Sequence, residues 1–137
     1  MLLDPVRVEE TRFWFLKARA DLRGVRVDLD ADPPLVEDAL FHAQQAAEKA
    51  EKGFLVWHDK PFRKTHDLVE LGSACSSVDA SLDPILHEAA RLTTYATAFR
   101  YPGMSISPTY DQASDALNLA ERVVSEILNR LPDEVNG

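Results

Sequence analysis

The sequence predicts an all-α protein, an up-and-down four-helix bundle with one additional short helix. Three observations lead there. Apolar residues recur at three- and four-residue steps over long stretches, the period of a helix with one buried face. Only five glycines interrupt the chain. Proline pairs with a capping residue where such stretches begin, at Asp4-Pro5, Asp32-Pro33-Pro34, Asp83-Pro84 and Ser107-Pro108. A side-chain oxygen there caps the first turn, and proline lacks only an N–H that would have had no partner. No strand is expected.

The first helix is placed at about 5–23. Its apolar arc is wide, with Phe13, Leu16 and Ala20 on one side and Trp14, Phe15, Ala18 and Leu22 on another. One neighbour in a small bundle does not cover both, so a second subunit is expected on one of them and the chain is predicted to be a homodimer. The second helix, about 34–58, carries Leu35, Ala39, Ala43, Ala46, Ala47, Ala50, Phe54 and Trp57 on one face, whose alanines admit another helix closely. The short third helix, about 66–76, is expected to start from Thr65, with Asp67 against the positive end of its dipole. In the fourth, about 84–100, Ile85, Ala89, Leu92, Ala96 and Phe99 form the core face. The fifth, about 108–131, buries a stripe from Tyr110 through Ala113, Ala120, Val124 and Ile127 to Leu131.

At 137 residues the chain reads as one domain over 1–137, and 45% hydrophobic with 28% charged residues excludes disorder. The net charge of −8 opposes sequence-independent wrapping of nucleic acid. Any phosphate contact therefore needs a local patch. Residues 49–66 supply one, with Lys49, Lys52, Lys60, Arg63 and Lys64 against Glu51 and Asp59. The lone cysteine, Cys75, excludes an internal disulfide and suggests a reducing, cytoplasmic setting, and no apolar run reaches the ~18 residues of a membrane span.

Beside the alanine face of the second helix, His42, Gln45, Lys49 and Lys52 follow at spacings of three, four and three. They are expected to form one polar strip, with Glu48 and Glu51 pointing elsewhere. An imidazole, an amide and two ammonium groups suit an anionic ligand with a flat base. Equally, His42 and Gln45 are read as boundary residues bonded within the bundle and the lysines as solubilising. Arg100 falls at the edge of the fourth helix's core face, suited either to a helix end or to a phosphate, with Tyr95 on the same flank.

FHAQQAAEKAEKGFLVW at 41–57, KPFRKTHDLVEL at 60–71, Tyr95 and FRYPG at 99–103 together resemble the HEPN domain, the "higher eukaryotes and prokaryotes nucleotide-binding" family, over about 5–130. The resemblance implies a helical bundle, often dimeric, that binds nucleotides or RNA. It also implies a minimal nucleotidyltransferase as partner, in pairs that behave as toxin and antitoxin. Some members are metal-independent ribonucleases using an Arg and a His four to six residues apart. Here none of His42, His58, His66 and His87 follows an arginine at that separation, and no histidine follows Arg100. Metal-independent cleavage needs a base near neutrality and a cation for the phosphorane charge.

The expectation is therefore a non-catalytic nucleotide- or nucleic-acid-binding protein whose site is lined by His42, Gln45, Lys49, His66 and Arg100, with Lys52 and Tyr95 as additional candidates. The alternatives are a ribonuclease with a displaced Arg/His pair and a module that docks a protein partner. The histidines and the cysteine lack zinc-ligand spacing, and no phosphate loop is present, so neither metal nor cofactor is expected.

Overall fold

Asp4 opens the chain's first helix as expected: its Oδ1 accepts the Val6 N–H at 3.0 Å, ahead of Pro5. In the computed structural model, which describes residues 2–99 and 107–136, this helix, α1, runs Pro5–Asp30. It does not stop at residue 23. Val25 and Leu29 extend the buried row of Phe15, Ala18 and Leu22 by nearly two turns, and that continuous burial carries the helix through Gly24.

The second helix, α2, spans Val36–Trp57 and packs antiparallel to α1. Its alanine face is buried as predicted from Ala39 to Phe54, while Trp57 is half-buried and Leu35, the residue before the helix, stays exposed. The proline-rich entry supplies no side-chain cap; instead the Leu35 N–H donates to the Asp28 carbonyl at 2.9 Å and ties the turn back to α1. Close approach requires Gly53, where a Cβ would stand 2.8 Å from Phe15 Cε2 and 3.0 Å from Trp14 Cβ.

Helix α3 is Leu68–Val78. Asp67, not Thr65, is its cap, accepting from the Val69 N–H at 2.9 Å, while the Thr65 hydroxyl accepts the Asp67 N–H at 3.0 Å. A 3₁₀ turn at Ala80–Leu82 leads into α4, Asp83–Ala89, with Leu82 in the cap position. The single helix expected over 84–100 is divided: Ala90–Ala96 tightens to 3₁₀, and residue 100 lies outside the described residues. Two adjacent β-branched residues, Thr93 and Thr94, disfavour the wider coil, and the Thr93 hydroxyl accepts the Leu68 N–H at the start of α3.

Helix α5, Tyr110–Leu128, starts from a capping box between Thr109 and Gln112 rather than from Ser107-Pro108. Its stripe is buried from Ala113 onward, with Leu119 added and Tyr110 exposed. A final turn, α6, covers Asp133–Asn136. All regular structure among the described residues is helical, and α1, α2 and α5 enclose the main core while α3 and α4 close its side. No described helix is long and apolar enough to cross a membrane.

Candidate functional site

The predicted strip on α2 is not a single solvated strip. It faces α1 and the 58–67 connection, and Glu48 turns inward to join it, contrary to the expectation that Glu48 points elsewhere. The Glu48 carboxylate, 4% exposed, receives Lys52 Nζ at 2.9 Å, His66 Nδ1 at 2.8 Å, Gln44 Nε2 at 3.0 Å and Gln45 Nε2 at 3.4 Å. Burial alone raises a carboxyl pKa. The bonds from Gln44, Lys52 and His66, with the Lys52 charge, overcome it and hold Glu48 below its ordinary value.

Lys52 is itself buried, with its ammonium 6.0 Å from the Trp14 ring and 5.8 Å from the Phe62 ring. Its charge is committed to Glu48 and to the aromatic faces. His66 is different: its ring is 63% exposed and is anchored at Nδ1 by Glu48. Gln45 also donates to Gln44 Oε1 at 2.6 Å, and Gln44 reaches the His66 carbonyl. The connection before His66 brings Lys60, Arg63 and Lys64 to the surface, with Arg63 held by both oxygens of Glu70 at 2.7 and 2.9 Å.

His42 and Lys49 belong to a second cluster built on α1. Asp21, buried among the core residues of α1, accepts from His42 Nδ1 at 2.8 Å and from Lys49 Nζ at 2.5 Å. His42 Nε2 faces Asp38 Oδ2 at 3.4 Å, and Asp28 completes a group of three whose ligand atoms lie within 4.8 Å of one another. Burial, then the facing Asp38 carboxylate, pushes Asp28 up to about 6. Of the sequence candidates, then, Gln45 and His66 share the Glu48 cluster with Lys52, while His42 and Lys49 share Asp21. Tyr95 stacks on Phe99 and lines a cleft with Phe41 and Asp38, which joins it to the His42 group. Arg100 lies outside the described residues.

Glu51 is fully buried, with neither carboxylate oxygen bonded among the described residues. Desolvation, then the charge of Glu48, raises it well above the ordinary range. The same burial, with Glu51 nearby, raises the Cys75 thiol, so this cysteine is no nucleophile. The sequence held a signal for both acid clusters. Asp21 and Asp28 stand seven apart, in the row of Leu22, Val25 and Leu29, and Glu48 stands four residues from both Gln44 and Lys52.

No curated protein and no solved structure matches the chain significantly. The family model described as "HEPN domain" matches residues 11–131, a span that runs from the second turn of α1 past the end of α5 and takes in every residue of both clusters. With most of its length and its whole polar centre inside that match, the chain belongs to the HEPN domain family.

Proposed function

We propose that this HEPN protein binds a nucleotide or an RNA end, without cleaving it, along the edge where α2 meets the 60–66 connection. The observation that carries this reading is the pairing of an exposed imidazole with a buried carboxylate: Glu48 fixes His66 at Nδ1 while the ring as a whole stays 63% exposed. In its doubly protonated form the ring offers an Nε2–H held in one orientation, which loses little entropy on meeting a phosphate oxygen. Lys60 and Lys64 stand exposed on the same connection and supply the Coulombic attraction that the acidic remainder of the chain lacks. Gln45 contributes less, since it is half-buried and its Nε2 already donates to Gln44 and Glu48. Lys49 contributes less, because Asp21 already neutralises it, and His42 sits among carboxylates that repel phosphate. Arg100, which the sequence places at the edge of an apolar helix face, is kept as a proposed phosphate ligand. Titration of ATP and of a short single-stranded RNA into wild type and His66→Ala tests the proposal.

The same pair favours a second reading. An imidazole oriented by a carboxylate is the arrangement of a general base, so a ribonuclease would use His66, with its cation drawn from the lysines nearby or from a second chain. Loss of RNA cleavage in His66→Ala would establish it.

Two finer elements complete the proposal. A homodimer forms through α1, where Val6, Phe13 and Leu16 are more than half exposed beside an apolar groove of about 680 Å³ walled by Trp14 and Val56. A nucleotidyltransferase partner, in a toxin-antitoxin pair in the cytoplasm, is supported by the family resemblance and, for the compartment, by the single buried Cys75.

A further inference from the structure

We propose that Asp28, Asp38 and His42 bind a divalent transition-metal ion of the zinc type, at a site separate from the Glu48–His66 edge. Two helices supply the ligands. Asp28 lies in the last turns of α1, and Asp38 and His42 stand four apart on α2, on one face. His42 Nε2 and Asp38 Oδ2 are 3.4 Å apart. That is the edge, about 3.3–3.4 Å, of a tetrahedron whose metal–ligand bonds are ~2.0–2.1 Å. One ligand atom from each of the three residues lies within 4.8 Å of the other two.

The burial of Asp28 adds a second observation. It is 6% exposed, and its Oδ2 has no hydrogen-bond partner among the described residues although it belongs to a group facing a second carboxylate. An orphaned buried carboxylate oxygen is costly. A dication removes both the orphan and the repulsion.

The orientation of His42 agrees. Asp21 Oδ1 accepts the Nδ1–H at 2.8 Å, which leaves the Nε2 lone pair on the side of Asp38. A carboxylate behind a ligating imidazole sets its tautomer and raises its basicity. Lys49 holds the other Asp21 oxygen at 2.5 Å. Gly24 makes room for the ring, since a Cβ there would lie 3.2 Å from two of its carbons. Asp21 and Gly24 are thus positioning residues.

One imidazole nitrogen with two carboxylate oxygens suits zinc or manganese, whereas magnesium and calcium take oxygen ligands. The Asp38 side chain is 54% exposed and that of His42 30%. The ion would keep an open position on the solvent side, next to the cleft of about 320 Å³ that Asp38 shares with Phe41, Tyr95 and Phe99.

Calorimetric titration of ZnCl₂ and of MnCl₂ into chelator-stripped full-length protein, with melting curves, tests the site. One ion per chain is expected, with a rise in melting temperature. Asp38→Asn, a change at an exposed position, is expected to weaken binding at least tenfold while leaving the metal-free melting temperature in place. Asp21→Asn is expected to cost about 10–100-fold, as for other partners of ligating histidines. Zinc should also move the ¹⁵N resonance of His42 Nε2 and not those of His58 or His87. No binding of either ion at millimolar concentration, or binding undiminished in both Asp38→Asn and His42→Gln, would overturn the proposal.

Discussion

His66 Nδ1 lies 2.8 Å from Glu48 Oε1, and the pair joins an imidazole that is 63% exposed to a carboxylate that is 4% exposed. The carboxylate belongs to the core of the fold and the ring to its surface. Whatever His66 binds is therefore held in register with α2, since Glu48 is also anchored by Lys52 and Gln44.

That anchoring makes Glu48 a structural residue as well as a positioning one. Glu48→Ala leaves the Lys52 ammonium buried without a counter-charge, and a loss of about 3–5 kcal/mol is expected in urea denaturation at neutral pH. The folded pKa of Glu48 is lowered, so its contribution is present above the unfolded carboxylate value and disappears as pH falls through the folded one. The gap between wild type and Glu48→Ala is expected to narrow in acid.

Glu51 should behave in the opposite way. Its folded pKa is raised by burial, so the folded state binds the extra proton and stability falls as pH rises above the unfolded carboxylate value. Glu51→Met removes two orphaned oxygens at little change of shape. It is expected to stabilise the protein by about 1–3 kcal/mol at pH 8 and by less at pH 5, measured at one protein concentration.

The helices were legible in the sequence because their burial is periodic, and the ends were less so because ends depend on partners. Val25 and Leu29 prolong α1 against a core that only the fold assembles. Asp67 and Thr65 divide between them the capping assigned to Thr65 alone. The candidate site was half legible. Position on α2 identified His42, Gln45, Lys49 and Lys52 as neighbours, but the acids that claim them, Asp21 and Asp28 from α1 and the inward-turned Glu48, were hidden for two reasons. Two of them lie on another helix, and the third stands off the three-four-three spacing of the strip, which reads it as pointing elsewhere.

The close crossing of α1 and α2 rests on Gly53. A methyl there meets Phe15, a fully buried ring, at 2.8 Å and the Trp14 Cβ at 3.0 Å. Gly53→Ala gains helix propensity, ~1 kcal/mol, but the overpacking of a rigid core, about 1–3 kcal/mol, wins. A lower melting temperature in thermal denaturation is expected, and an unchanged or raised one would show that the helices separate freely.

Assembly is tested at the exposed face of α1. Wild type is expected to run as a dimer in light scattering at micromolar concentration. Phe13→Glu with Leu16→Glu, both at exposed positions, is expected to give a folded monomer. A monomeric wild type would remove the dimer from the account.

The central claim is that the Glu48–His66 edge contacts phosphate. Fluorescence anisotropy of a labelled single-stranded RNA and calorimetric titration of ATP, each with wild type and His66→Ala at two salt concentrations, test it most directly. The account predicts saturable binding of at least one of the two, uncut RNA, weaker affinity at higher salt, and a loss of about tenfold in His66→Ala, the size of one hydrogen bond to a charged group, in a variant that stays folded at a modestly lower melting temperature. Absence of binding to both ligands, or an affinity that His66→Ala leaves untouched, would contradict it.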